Sequence, residues 1–127
     1  MPNFSIITNN PLASNKYPDL AEFLDVSVER IFIRCRSAIH KGAVLISHPL
    51  SGSVKPNINP YKSVVISGEK PHTDFKSVQL IEDALITLKK LGDGNRLKYS
   101  SGMLEDYMVI DLDLLDSAMA ALPAVYY

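Results

Sequence analysis

Short β-rich runs alternate along this chain with segments of helical spacing, and this order constrains the fold more than any other feature. The predicted strands are 4–8, 21–26, 43–46 and 63–66. Between and after them lie a short helical turn over 12–18 and two helices, over 28–41 and 74–91. Such alternation is typical of an α/β sandwich with a mostly parallel sheet flanked by helices. The length of 127 residues and the hydrophobic fraction of 46% predict that positions 1–127 form a single domain.

Capping residues as well as spacing mark the two predicted helices. Ser27 is a candidate N-cap of the first helix, and Gly42 marks its C-terminal end. Thr73 or Asp74 caps the second helix, which extends to Leu91. The first helix has one apolar face, which predicts burial of Val28, Ile31, Phe32, Cys35, Ala38 and Ile39.

The C-terminal third admits two interpretations, and residues 95–112 have no decisive periodicity. In the first, 106–112 is a strand and Asp113 caps a short helix over 114–122. In the second, the whole stretch is one helix. The β-rich run Tyr-Met-Val-Ile between acidic residues favours the strand followed by the helix.

A loop of small, polar and cationic residues follows the predicted strand 43–46, and it is the main candidate site. Ser51, Gly52 and Ser53 offer backbone N–H groups and two hydroxyls, and Lys55 adds a positive charge. This combination suits an anion such as phosphate or carboxylate. Alternatively, the segment is a proline-stiffened connection whose serines bond to their own backbone.

Asn9 and Asn10 end the first predicted strand, where they would lie beside that loop in a parallel sheet. Their amides are candidate donors to the same ligand, although turn formation is the favoured explanation of these residues. His48 is a weak candidate for a catalytic acid or base.

Composition excludes several classes of function. A net charge of −1 gives no general attraction to nucleic acid, and no apolar run is long enough to span a membrane. Cys35 is the only cysteine, which excludes an internal disulfide and fits a reducing cytoplasmic setting. No metal site is expected from the spacing of the three histidines, and no cofactor fingerprint is present, so no cofactor is expected.

Four motifs of the sequence carry a resemblance to a known family. The central one is the run from His48 to Asn57, followed by Pro-Tyr-Lys-Ser at 60–63. The others are Thr-Asn-Asn-Pro at 8–11, His-Lys-Gly at 40–42 and Asp-Leu-Asp-Leu at 111–114. Together they resemble the signature of the GrdX family, whose members are encoded beside the glycine, sarcosine and betaine reductase components of amino-acid-fermenting anaerobes. The resemblance therefore implies a pathway neighbourhood, reductase-system partners and a cytoplasmic setting, but no catalytic residue.

Three functional hypotheses follow. The leading one is an accessory protein whose ligand surface is the segment 48–62, called here the 48–62 loop, assisted by Asn9 and Asn10. The second is an enzyme acting on a small anionic metabolite, with His48 as acid or base and Lys55 holding the anion. The third is a protein-interaction module with Tyr61 and the loop prolines as its surface. A homodimer interface is also predicted, on Tyr107, Tyr126 and Tyr127.

Overall fold

The computed structural model describes residues 3–50, 58–92 and 96–126, and within them three strands and four α-helices. Two single 3₁₀ turns, Arg96–Lys98 and Ala124–Tyr126, complete the regular structure of these residues. The strands and helices follow one another as β1 Phe4–Thr8, α1 Pro11–Lys16, β2 Ala21–Phe23, α2 Val28–His40, β3 Ser63–Ser67, α3 Phe75–Leu91 and α4 Ser101–Ala120.

The sheet is open and mixed, with β1 in the centre and the strand order β2-β1-β3. β1 pairs with β2 in parallel and with β3 in the antiparallel direction. In the antiparallel pair, Phe4 lies opposite Ser67 and Thr8 lies opposite Ser63. The α/β class is confirmed, but the expectation of a mostly parallel sheet is not, because one of the two strand pairs is antiparallel.

The predicted strand 43–46 is an irregular segment beside β3, joined to it by an isolated antiparallel bridge between Leu45 and Ile66. In this segment, backbone N–H groups donate to serine hydroxyls where a regular strand would donate to backbone carbonyls. The segment therefore does not form a continuous strand beside β3. The hydroxyl of Ser67 accepts from the N–H of Val44 at 2.8 Å, and that of Ser77 accepts from the N–H of Leu45 at 2.9 Å.

The direction of the segment 43–47 determines where the 48–62 loop begins. The segment is antiparallel to β3, and β3 is antiparallel to β1, so the segment runs in the same direction as β1. The end of β1, the end of this segment and the start of β3 therefore lie at one edge of the sheet. This is the edge at which open α/β sheets commonly place ligands.

Two apolar clusters lie on opposite faces of the sheet, because side chains alternate along β1 and β3. Ile7 belongs to the cluster under α2 and α3, and Ile6 belongs to the cluster under α1 and α4. All six residues of the predicted apolar face of α2 are buried. Ser27 caps this helix as expected by accepting from the N–H of Arg30, and Asp74 caps α3 in the same way through Ser77.

The prediction of a strand over 106–112 is wrong, since these residues lie in the middle of α4. Ser100 caps this helix by accepting from the N–H of Met103 at 3.3 Å, and Asp113 lies well inside the helix. Leu115 and Met119 of α4 are buried against the sheet. Neither α4 nor any other helix in the described ranges combines the length and the apolar character that a membrane span requires.

Candidate functional site

The candidate site lies where β1 ends and β3 begins. The hydroxyls of Thr8 and Ser63 are 2.7 Å apart across the two strands. The hydroxyl of Thr8 also accepts from the backbone N–H of Asn10 at 2.9 Å, which turns the chain from β1 into α1. A cluster of buried polar groups is thus formed at the end of a mostly apolar strand.

A cavity of about 40 Å³ opens at this edge of the sheet. It is lined by both ends of the 48–62 loop and by one side of α4: Ser47, His48, Lys62, Ser63, Asp111, Leu114, Leu115 and Ala118. This volume admits a water molecule or the charged end of a small ligand. The two ends of the loop therefore converge on a single cavity whose walls are partly polar and partly apolar.

Asp111 is the acidic group of the cavity, and only 3% of the residue is exposed. Its carboxylate accepts from the backbone N–H of Ser63 at 3.0 Å and from the hydroxyl of Ser63 at 2.7 Å. It also accepts from the side-chain amide of Asn10 at 3.0 Å. These three donors stabilise a carboxylate that would be costly to bury alone.

Lys62 is the basic group of the cavity, and only 5% of it is exposed. Burial lowers the pKa of Lys62, because an ammonium group is less stable away from water, while the charge of Asp111 raises it and offsets part of this effect. A buried amine and a buried carboxylate therefore line the same small space. Sequence reasoning did not select Lys62, which looked like an ordinary residue before a strand; the Pro-Tyr-Lys-Ser motif was the available signal.

His48 lies at the exposed rim of the cavity. Its Nδ1 atom accepts from the backbone N–H of Leu50 at 3.0 Å, so this nitrogen carries no proton. In the neutral imidazole the proton is then on Nε2, which is a hydrogen-bond donor. This tautomer favours donation to a ligand over abstraction of a proton.

Both predicted asparagines lie at the site, and both are fully buried. The amide nitrogen of Asn9 donates to the carbonyls of Val26 and Pro60, at 2.8 and 2.9 Å, and its oxygen accepts from the N–H of Lys62 at 2.8 Å. The amide of Asn10 donates to the carbonyl of Met108 and to Asp111, while its oxygen caps α1. All four amide hydrogens are used within the chain, so these residues position the loop and α4.

The site residues all fall within a stretch that matches a known family. The family model described as GrdX-like protein matches residues 5–120. The chain belongs to the GrdX-like family. The resemblance found in the sequence motifs is therefore confirmed. None of the curated proteins and none of the solved structures matches this chain.

Four of the predicted ligand-binding residues of this GrdX-like protein, Ser51, Gly52, Ser53 and Lys55, lie outside the described residues. Their role stays a prediction. The loop is described again from Ile58, whose carbonyl accepts from the hydroxyl of Tyr99 at 2.9 Å. The next residue, Asn59, donates to the carbonyl of Tyr107 at 3.0 Å, so this end of the loop is bonded to α4.

The acidic residues at the C-terminal end of the GrdX-like chain have separate roles. Asp116 accepts from Lys16 at 2.7 Å and from the hydroxyl of Tyr17 at 2.6 Å, whereas Asp113 is exposed. Burial alone would raise the pKa of Asp116, but these two hydrogen bonds and the charge of Lys16 together lower it. Asp111, Asp113 and Asp116 thus do not converge, and no group of metal-ligating side chains occurs in the described part of the chain.

Proposed function

We propose that this GrdX-like protein is an accessory protein of a glycine/sarcosine/betaine reductase system, which binds a small anionic ligand at the 48–62 loop. Family membership supports the pathway neighbourhood. The cavity at the ends of the loop supports the binding of a ligand. The observation that carries the proposal is that Lys62, a buried basic residue, lines this cavity.

The electrostatics of the cavity favour an anion. A positive charge removed from water attracts negative charge more strongly than an exposed lysine does. Asp111 neutralises part of this charge, but three of its hydrogen-bonding positions are directed to Ser63 and Asn10. His48 adds a donor at the rim, and Lys55 adds a second cation in the predicted binding segment.

The volume of the cavity limits what enters it. About 40 Å³ accommodates a carboxylate or part of a phosphate group, but not a whole metabolite. The remainder of the ligand would contact the serine and glycine residues of the predicted binding segment, 51–55. The proposal therefore concerns small ligands with one anionic end.

A thermal-shift screen of small carboxylates and phosphate esters tests the ligand. A compound present at about 100 times its Kd stabilises the folded state by about 2.7 kcal/mol. We expect at least one such shift in the wild-type protein, and its loss in both Lys62→Met and Lys55→Ala. Lys90→Ala, which removes an exposed lysine at the end of α3, is the matched control and should keep the shift.

Two results would argue against ligand binding: no shift with any compound, or a shift that persists in both lysine variants. The accessory role is tested separately by assaying a purified reductase complex with and without this protein. An effect of the wild-type protein that Lys62→Met lacks supports a link between the cavity and the pathway. No effect of the wild-type protein would contradict the accessory role and leave the ligand result unchanged.

A further inference from the structure

One side of α4 carries an apolar stripe that the described elements cover only in part: the ring of Tyr107 lies 5.0 Å from the ring of Tyr99, and Leu114 lines the cavity. Met103 and Ile110 are 45% and 48% exposed, and Tyr107 and Leu114 are partly exposed. These residues, spaced by four, three and four positions, lie on one side of a helix. We call Met103, Tyr107, Ile110 and Leu114 the α4 stripe.

The charge of α4 is entirely acidic: the helix contains five carboxylates and no lysine or arginine. Asp111 is buried in the candidate site, and Asp116 is bonded to Lys16. The remaining three carboxylates, those of Glu105, Asp106 and Asp113, are exposed. No described residue forms an ion pair with any of these three.

The positions of two of these carboxylates relate them to the stripe. Asp106 and Asp113 are seven residues apart and therefore lie on the same side of the helix, next to Ile110. An apolar stripe with a row of negative charge along one edge is complementary to a helix with an apolar seam and a row of positive charge. Amphipathic helices bind to partner proteins in this way.

The charge also argues against a second copy of this chain as the occupant. Pairing α4 with another α4 would bring two helices with only negative charges together, and like charges across an interface are destabilising. A basic partner replaces this repulsion by attraction.

We infer that the α4 stripe binds an amphipathic helix of another protein, whose lysine or arginine residues lie opposite Asp106 and Asp113. Four stripe residues form a smaller contact than a standard stable interface, so the complex is of the weak and transient kind. Leu114 belongs to the stripe and also lines the cavity, so the bound helix would lie beside the candidate site. The inference itself rests on α4 alone and is independent of any ligand.

The test uses a fluorescein-labelled synthetic helix of leucine and lysine, with the leucines on one face, and a matched peptide with glutamate in place of lysine. Fluorescence anisotropy should show that the lysine peptide binds at least about tenfold more tightly than the glutamate peptide, and less tightly as salt is added. Ile110→Asp should weaken binding of the lysine peptide about tenfold.

Val109→Asp is the matched control, because Val109 is also 48% exposed but lies about 100° away around the helix. Both substitutions add one negative charge, so general electrostatic attraction affects them equally, and only contact with the stripe distinguishes them. A second comparison uses a double variant, Asp106→Lys with Asp113→Lys, which should abolish binding of the lysine peptide. Its control is Glu105→Lys, which should reduce binding much less. Circular dichroism should confirm that all of these variants are folded.

Three outcomes would overturn the inference. The first is a lysine peptide that binds no better than the glutamate peptide. The second is an equal effect of Ile110→Asp and Val109→Asp. The third is a dimer in sedimentation experiments that Ile110→Asp dissociates, because the stripe would then bind a second copy of the chain.

Discussion

Asp111 of α4 accepts hydrogen bonds from both the backbone N–H and the hydroxyl of Ser63, the first residue of β3. The same carboxylate reaches Asn10, which follows β1. One side chain thus joins a helix to the ends of two strands, at the edge where the cavity lies. The site and the attachment of α4 to the sheet are therefore energetically coupled.

Replacement of Asp111 should destabilise the protein strongly. Asp111→Ala leaves the N–H of Ser63 and the amide of Asn10 without their acceptor, and buried groups without partners are costly. We expect the free energy of unfolding to fall by about 3 kcal/mol in urea denaturation. Asp113→Ala, at an exposed position of the same helix, should change it by less than about 0.5 kcal/mol. Equal effects of the two substitutions would contradict this role of Asp111.

Gly42, which ends α2, should tolerate no side chain. Its φ angle is +109°, and a Cβ atom placed there would lie 1.9 Å from the carbonyl oxygen of Lys70. Gly42→Ala should therefore lower the free energy of unfolding by about 3 kcal/mol. At Gly68 a Cβ atom meets nothing within 4 Å, so Gly68→Ala is the control and should be almost neutral. A stable Gly42→Ala variant with an unchanged melting temperature would contradict the close approach.

Lys62 should make stability increase with pH in the alkaline range. Burial lowers its pKa below the ordinary value of 10.5, and Asp111 offsets this only in part. Between the lowered pKa and 10.5 the unfolded chain binds more protons than the folded chain, so the free energy of unfolding rises with pH. The penalty for burying the charge is complete below the folded pKa and vanishes above 10.5.

The measurement is the difference in free energy of unfolding between wild type and Lys62→Met, obtained by urea titration at a series of pH values. This difference should change in favour of the wild type as the pH rises towards 10.5. Lys90→Met, at an exposed position, should keep the pH dependence of the wild type. A difference that changes in favour of Lys62→Met as the pH rises would contradict the lowered pKa. It would show that nearby negative charge stabilises the ammonium group of Lys62 more than burial destabilises it.

Cys35 should be unreactive in the folded protein. Burial raises the pKa of its thiol to about 12, with a smaller opposing effect from Arg34. Because the thiolate is the reactive form, labelling by a disulfide reagent at neutral pH should proceed only through unfolding. The labelling rate should therefore match the unfolding rate and become rapid in denaturant. Rapid labelling under native conditions would contradict the burial of this residue.

The sequence was most informative where local signals and packing agree. Ser27 and the apolar spacing after it predicted α2, and Asp74 and Leu91 correctly bounded α3. Helix α4 was mispredicted because its apolar residues lie on several sides, which removes the periodicity that identifies a helix. The exposed stripe is thus both the cause of that error and the basis of the proposed binding surface.

The direction of β3 and the polar network at the site could not be predicted from local sequence patterns. The 48–62 loop reverses the chain between the segment 43–47 and β3, and no residue in the loop determines that direction by itself. Asn9 and Asn10 were predicted to lie beside the segment 48–57. Most of that segment lies outside the described residues, and the partners that the structure shows for the two amides lie up to 101 residues away in the chain. Asp111 and Lys62 acquire their importance only through this long-range approach.

The central position of β1 has a consequence for biosynthesis. β1 precedes the other described elements, yet one of its two neighbours, β3, is not complete until Ser67 has been added, and α4, which packs in the same apolar cluster as β1, follows later still. Pairing between distant segments is slow, and unpaired apolar strands are prone to association. β1 is therefore synthesised well before β3 and α4 can cover it, and protein truncated before α4 is expected to aggregate.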